Sequence, residues 1–525
     1  MHETIEKLRS RTITMLDDSA ALDHIAELID ASDDVGFGQG ADRAIHLLDE
    51  LAKRELNTKN GATLEYFRAN AWAVKEAASG ERGSWAWENP EREQQILALS
   101  RAAVHPGFVE LDLVRRCQIL TNRANQLNTV GRFIDAIEGW DAALSIMPNF
   151  AMARANRGYG IKHYGGFIDD NRVRAILLLH AHDGLIAATA PDAIYDSMYS
   201  AKLVQEFAKE AKRYASAGDL GEIREFQDIG LPPLGRSKAE RKYRQWCLDR
   251  RLFLNPLNDL GAHARGACDD LVLPPVIERF DERARVVAPP PIIGFFNQMK
   301  QEYVSARFML YEGLCDTKLH FSDRGVLLFD TLDYPMHSLA TERVRTAYRI
   351  AYSLLDKIAF LIAHYWKLEK KAANQINFKN VWMVEGKKRL LDNFRNFPNW
   401  PLRGLFWLSK ELFDDQLKRT TGPDARELHD IRNALEHKFL QLHEGWARPF
   451  MWAKPSSEGL GLSIDSDLLE AKALRVMKIA RSALIQVSLA IGVEERARTR
   501  TLPETSIGSM PVFELNDHRK RRDPM

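Results

Sequence analysis

Apolar residues recur at intervals of three and four along most of the chain, the spacing that puts them on one side of an α-helix. In the N-terminal part this spacing predicts helices at residues 3–31, 41–55, 62–78, 91–104, 109–129, 133–146 and 150–163. In the C-terminal part it predicts helices at residues 297–314, 339–371, 404–417, 424–441 and 466–491. Residues 319–331 differ, because two apolar runs flank a turn sequence at 322–325 and predict a β-hairpin. The sequence therefore predicts an all-α protein with one small β-hairpin insertion.

An internal period of thirty-four residues is visible in the N-terminal helices. Small and apolar residues occupy equivalent places in two successive units, Ala124, Leu127, Gly131 and Phe133 in the first and Gly158, Ile161, Gly165 and Phe167 in the second. This pattern resembles the tetratricopeptide (TPR) repeat, which implies an α-solenoid of stacked helical pairs. Such an array either binds a peptide or partner protein in its groove or serves only as a scaffold. Residues 79–91, an insert with Trp85 and Trp87, slightly favour binding if those tryptophans are exposed.

The predicted helix 424–441 separates apolar from polar positions. Leu428, Ile431, Leu435 and Phe439 form an apolar stripe, and Asp424 precedes them as an N-cap candidate. The residues between them place an arginine, an amide, a carboxylate and an imidazole on the opposite side: Arg432, Asn433, Glu436 and His437. The simplest interpretation is a solvated helix face with an Arg432–Glu436 ion pair.

The run Arg432-Asn433-Ala434-Leu435-Glu436-His437 also resembles the Arg-x4-6-His motif of the HEPN superfamily. The bare motif is unspecific, because it also fits Arg157 to His163 and Arg174 to His180. Membership would imply a C-terminal helical bundle and RNA cleavage without a metal ion, with Arg and His lining a cleft between two protomers. It would also imply an acidic residue near that pair on helix 339–371, for which Asp356 is the candidate.

These residue types suit RNA cleavage by the ribose 2′-OH. A histidine ionises near neutral pH, so His437 can transfer a proton, and the guanidinium of Arg432 can hold two phosphate oxygens. Asn433 would orient the backbone or the imidazole, and Glu436 would fix the imidazole tautomer or brace Arg432. The chemistry calls for no metal and no cofactor, and the chain has no nucleotide-binding loop or zinc-binding cysteine pattern.

Charge is distributed unevenly along the chain. The whole sequence has 73 lysines and arginines against 72 aspartates and glutamates, whereas residues 341–497 have 26 against 19. This local positive excess suits contact with RNA phosphates, for which Lys387, Lys388, Arg389 and Lys438 are candidates. Four widely spaced cysteines, and an N-terminus without an export signal, predict a cytoplasmic protein with no membrane span.

The sequence thus predicts a repeat domain at 1–190, a partly helical intermediate region at 191–292, a HEPN-like domain at 293–497 and a disordered basic tail at 498–525. The predicted function is an RNA-cleaving toxin or antiphage defence effector that a protein or peptide activates through the repeats. The alternative is a non-catalytic adaptor that binds a protein partner or a nucleotide. A homodimer is expected, held through Phe439, Leu442 and Trp446.

Overall fold

The computed structural model describes residues 2–80, 84–195, 200–231, 233–278, 289–316, 318–331, 334–368, 375–384, 387, 389–414, 423–444, 460–503 and 513–520. Its N-terminal helices are α1 His2–Ser10, α2 Asp18–Val35, α3 Gly38–Leu51, α4 Thr58–Ala78, α5 Pro90–Val104, α6 Leu113–Thr129, α7 Phe133–Ile146, α8 Ala151–Gly165 and α9 Asn171–Ala188. Next come α10 Ser200–Ala215, α11 Leu220–Asp228 and α12 Lys238–Asp249. The C-terminal helices are α13 Pro291–Cys315, α14 Leu339–Tyr365, α15 Trp400–Phe413, α16 Pro423–His437 and α17 Ser466–Thr501. The prediction of an all-α protein is confirmed.

The N-terminal helices pack as successive hairpins, α4 with α5, α6 with α7 and α8 with α9. Small residues allow close approach: a Cβ added to Gly139 would lie 2.9 Å from that of Ala124, and one added to Gly158 would lie 2.8 Å from the carbonyl oxygen of Ala181. Asp112 caps α6 by accepting a hydrogen bond from the Arg115 amide. This arrangement fits an array of helical repeats, whereas assignment to the TPR family stays a prediction.

The C-terminal helices form a bundle around α17. Helices α13 and α14 pack along each other, and both contact α17, whose middle section from Ala480 to Ile491 is buried almost throughout. By length and composition α17 is apolar enough to cross a membrane, but 89% of its most apolar window is buried inside the fold. That burial is typical of a core helix.

The β-structure lies elsewhere than predicted. Strands β1 Phe439–His443 and β2 Gly461–Asp465 pair in parallel, with Phe439 opposite Gly461. The predicted β-hairpin at 319–331 is wrong. That segment forms a 3-10 turn at Phe321–Asp323 and no strand, and it leaves Val326, Leu327 and Phe329 exposed, so its apolar side chains face no partner strand in the described fold.

Trp87 and helices α6 to α9 share one hydrophobic core with the C-terminal bundle, whereas α1 to α4 pack around a separate core. Trp87, in the loop between α4 and α5, is fully buried and stacks on Phe394 with ring centroids 5.0 Å apart. Its carbonyl accepts a hydrogen bond of 3.0 Å from the Trp407 indole. Trp85 is 41% exposed, so only one of the two tryptophans fits the expectation of an exposed binding surface.

Close backbone contact and buried charges hold the same junction. Gly131, with a φ of 92°, lies so near α15 that an added Cβ would be 2.3 Å from the carbonyl oxygen of Trp400. Arg132 is 2% exposed and forms ion pairs with Asp135 and Glu411. The two parts of the chain are therefore firmly attached to each other.

Buried ion pairs attach the segment after α12 to the C-terminal bundle. Arg481 of α17 pairs with Asp259 at 2.5 Å, and both side chains are 2% exposed. Arg307 of α13 donates two hydrogen bonds to the carboxylate of Asp269, at 2.8 and 2.7 Å. The attraction and the hydrogen bonds within each pair offset the cost of removing these charges from water.

Candidate active site

Helix α16 packs its apolar side against α14 and α17. Leu428, Ile431, Ala434 and Leu435 are buried, as the stripe predicts. The Tyr348 hydroxyl of α14 donates a hydrogen bond of 2.6 Å to the Leu428 carbonyl. The polar residues of the predicted site therefore lie beside α14 or toward solvent.

The C-terminal end of this helix differs from the prediction. The helix ends at His437, and Phe439 begins β1 with 43% of its surface exposed, so Phe439 does not extend the apolar stripe. The reason is tertiary, because pairing with β2 holds the backbone after Lys438 in an extended form. Leu442 is 2% exposed within β1 and cannot supply a free dimer contact, which corrects that expectation. Trp446 and the side chain of Asp424 lie outside the described residues.

Arg432 lies at the edge between the buried and the polar side of α16. Its guanidinium carbon is 5.7 Å from the centre of the Tyr352 ring on α14, a cation–π contact. Its Nη1 donates a hydrogen bond of 3.3 Å to Oδ1 of Asn433. Arg432 and Glu436, both among the described residues, form no ion pair. The interpretation of this helix face as solvated with an Arg432–Glu436 ion pair therefore does not hold for Arg432.

Asp356 lies one helical turn beyond Tyr352 on α14. Its Oδ1 accepts a hydrogen bond of 2.9 Å from the backbone amide of Phe378. Burial raises the pKa of the Asp356 carboxyl, although that hydrogen bond and the charge of Arg432 oppose the rise. Asp356 and Arg432 thus interact electrostatically, the proximity that the resemblance implies.

Asn433 contacts a histidine that the sequence analysis overlooked. Its Nδ2 lies 2.9 Å from Nε2 of His429. The sequence spacing could have revealed this contact, since residues four apart on a helix share a face. Asn433 therefore links His429 to Arg432 rather than contacting His437.

Glu436, His437 and Lys438 are all exposed. His437 is the last residue of α16, four positions after Asn433. No contact between His437 and Arg432 is found among the described residues. The structure thus leaves the histidine accessible to a substrate or to another chain.

The predicted RNA-binding residues lie in the loop before α15. Lys387 and Arg389 are exposed in a turn closed by a hydrogen bond of 2.8 Å from the Val384 amide to the Arg389 carbonyl. Arg389 also pairs with Asp392 at 3.3 Å, and Lys388 lies outside the described residues. Lys379, a further basic residue of this loop region, is exposed next to Phe378. The sequence analysis missed Arg349, which is exposed three residues before Tyr352.

No group of three or more histidine, cysteine, aspartate or glutamate side chains suited to a metal ion occurs in the described part of the chain. His180, which also belongs to a chance copy of the motif, lies far from α16 in the sequence, on α9. Its ring is 5.6 Å from that of His263, and burial lowers its pKa to about 4. A neutral, buried imidazole of this kind is typical of a packed core.

Comparison with known families identifies the C-terminal part of the chain. Residues 284–494 match the family model of the LA2681-like HEPN domain, and the match includes α14 and α16. The C-terminal domain is a HEPN domain. HEPN domains have ribonuclease-type or nucleotide-related functions, and they are compatible with RNA binding. No curated protein and no solved structure matches the chain.

Proposed function

We propose that the protein is an endoribonuclease that cleaves RNA without a metal ion, with Arg432 and His437 as its catalytic residues. The observation that carries this proposal is the environment of Arg432 inside the HEPN domain. Its guanidinium is positioned by an aromatic ring and an amide, and no carboxylate among the described residues forms an ion pair with it. Its charge is therefore available to a phosphate.

The proposed reaction is an internal transesterification. A base takes the proton of the ribose 2′-OH, the 2′-oxygen forms a bond to phosphorus, and the bond from phosphorus to the 5′-oxygen breaks. The 5′-oxygen then receives a proton, which leaves a 2′,3′-cyclic phosphate and a 5′-hydroxyl. Arg432 stabilises the charge that develops on the phosphorane, and exposed His437 transfers a proton.

A second copy of the chain would complete this chemistry. Each chain supplies one His437, whereas the reaction requires both a proton acceptor and a proton donor. A two-fold dimer that brings two α16 helices to one cleft would provide two histidines and two arginines. Exposed Phe439 remains a candidate contact for such a dimer, while Leu442 does not.

The helical array would regulate this activity. The described part of the array contains no group of histidine, cysteine, aspartate and glutamate side chains suited to a metal ion, and its stacked hairpins are of the kind that bind a protein or peptide trigger. A role as a toxin or in antiphage defence rests on the resemblance of the layout, helical repeats followed by a HEPN domain, to bacterial proteins with that role.

The test is incubation of the purified protein with total RNA in the presence of EDTA. We expect cleavage to persist in EDTA, to yield cyclic phosphate ends, and to fall by roughly a hundredfold or more in Arg432→Ala and His437→Ala. Arg174→Ala and His46→Ala, exposed residues of the helical array, are the matched controls and should retain activity. Sedimentation of the same samples reports the dimer.

Two results would contradict the proposal. One is full activity in His437→Ala, and the other is loss of wild-type activity when metal ions are chelated. If folded wild-type protein binds RNA or a nucleotide and cleaves nothing under any condition, the adaptor function is favoured instead.

A further inference from the structure

The hydrogen bonds of Asn433 fix the protonation of His429. An arginine side chain can only donate hydrogen bonds, so the Asn433 atom that faces Arg432 must be the carbonyl oxygen Oδ1. The amide nitrogen Nδ2 then faces Nε2 of His429, 2.9 Å away. An amide NH2 group also only donates, so this arrangement assigns Nε2 as the acceptor and puts the ring proton on the buried Nδ1.

These contacts form a directional chain along one helix, from Arg432 through Asn433 to His429. His429 and Asn433 are partly buried, four residues apart, and belong to the same rigid element. The amide of Asn433 cannot rotate without losing both contacts, because rotation would direct its NH2 group at the guanidinium. A neutral His429 therefore holds the amide in the one orientation that accepts from Arg432.

We infer that His429 is a positioning residue of the ribonuclease, which acts through Asn433 to hold the Arg432 guanidinium in place for the phosphate. This inference rests on the proposed function. Tyr352 supports the guanidinium from α14, and a cation–π contact constrains its distance more than its rotation. The Asn433 oxygen supplies a directional contact as well, and misplacement of a catalytic group by about 1 Å costs up to a hundredfold in rate.

The test compares two substitutions of His429. In His429→Leu the hydrogen-bond acceptor is lost, and we expect kcat to fall roughly tenfold to a hundredfold with a smaller change in KM. In His429→Gln a side-chain oxygen can again accept from Asn433, so most of kcat should return. The double variant His429→Leu/Asn433→Leu lacks both the acceptor and the amide. Its kcat should be no lower than that of Asn433→Leu alone.

Histidine ¹⁵N NMR spectra of the whole protein measure the tautomer of His429 independently of activity. The His429 signal, identified by its absence in His429→Gln, should show a bare Nε2 and a protonated Nδ1. The Nε2 shift should change in Asn433→Leu. A signal with the opposite tautomer, or one unmoved by Asn433→Leu, would overturn the inference.

Kinetics separate failure of the inference from failure of the proposed function. If Arg432→Ala and His437→Ala are inactive while folded His429→Leu keeps its full kcat, the inference is wrong and the function stands. Equal impairment of His429→Gln and His429→Leu also overturns the inference. If Arg432→Ala retains full cleavage, the proposed function is wrong and the inference falls with it.

Discussion

Arginines in this protein have two kinds of environment. Arg481, Arg307 and Arg132 are buried, and each forms an ion pair with a carboxylate. Arg432 instead contacts an aromatic ring and an amide, which position its guanidinium without neutralising it. The first kind joins distant segments inside the fold, whereas the second suits a group that must meet a phosphate.

Asp356 should support Arg432 only when its carboxyl is ionised. Burial raises its pKa, so the negative charge beside Arg432 forms at a higher pH than for an ordinary aspartate. We expect Asp356→Asn to lower kcat/KM roughly tenfold at alkaline pH, because the loss of a charge near Arg432 removes on the order of 1 kcal/mol of electrostatic stabilisation. The difference from the wild type should vanish as the pH falls through the raised pKa, and pH–rate profiles of both proteins measure this.

Stability provides the control for that substitution. The amide oxygen of Asn can still accept the hydrogen bond from Phe378, so the fold should persist. A raised carboxyl pKa means that the folded state disfavours the ionised form of Asp356. The protonated carboxyl therefore stabilises the fold at low pH, and this stabilisation is lost as the pH rises through the raised pKa. Thermal melts should therefore show Asp356→Asn gaining stability over the wild type as pH rises. A constant difference at every pH would contradict the assigned burial effect.

Helix α14 presents a polar stripe to the site. Arg349, Tyr352 and Asp356 follow one another at spacings of three and four, so they share one face, and Arg349 is exposed. The loop before α15 meets the same stripe through the hydrogen bond from Phe378 to Asp356, and this places exposed Lys379 nearby. Exposed Arg349 and Lys379 are therefore further candidates for contact with RNA phosphates.

Arg349→Ala and Lys379→Ala should each weaken RNA binding without a change in fold. The loss of one phosphate contact should reduce the dependence of log K on log salt by about 0.7 for single-stranded RNA. Fluorescence anisotropy of labelled RNA, in the His437→Ala background to prevent cleavage, measures both effects. Lys53→Ala, an exposed lysine of the helical array, is the matched control. An unchanged salt slope in both variants would place the RNA elsewhere.

The helical array and the HEPN domain are joined through side chains from distant parts of the sequence. Trp87 is fully buried among residues of the C-terminal bundle, and Arg132 pairs with Glu411 at the same junction. Such burial couples the stabilities of the two parts.

Substitutions of the two tryptophans between α4 and α5 test this coupling. Trp87→Ala should lower the free energy of unfolding by about 3–5 kcal/mol, as expected for a large side chain removed from a core. Trp85→Ala is the matched control and should cost about 1 kcal/mol or less, because Trp85 is 41% exposed. Denaturant melts should show a shift of one common transition. Similar effects of the two substitutions, or an unfolding of α6 to α9 that leaves the HEPN domain unaffected, would disprove the shared core.

Local patterns determined much of this protein. The spacing of apolar residues predicted the helices, and the start of α16 at Pro423 lies one residue from its predicted position. The stripe of Leu428, Ile431 and Leu435 was also correct, because a helix repeats its faces within a few residues. The contact between His429 and Asn433 was equally local, and its spacing of four could have revealed it.

Long-range contacts determined the rest. Phe439 begins a strand because β2, more than twenty residues later, pairs with it. The apolar run at 326–329 finds no such partner in the part of the chain that the structure describes. The proximity of Asp356 to Arg432 depends on how α14 packs against α16, which no spacing along either helix encodes. Trp87 is buried by Phe394 and Trp407, some three hundred residues away. The sequence by itself thus determined the helices and the residues on each of their faces, whereas tertiary packing decided which faces meet, because those contacts join segments distant along the chain.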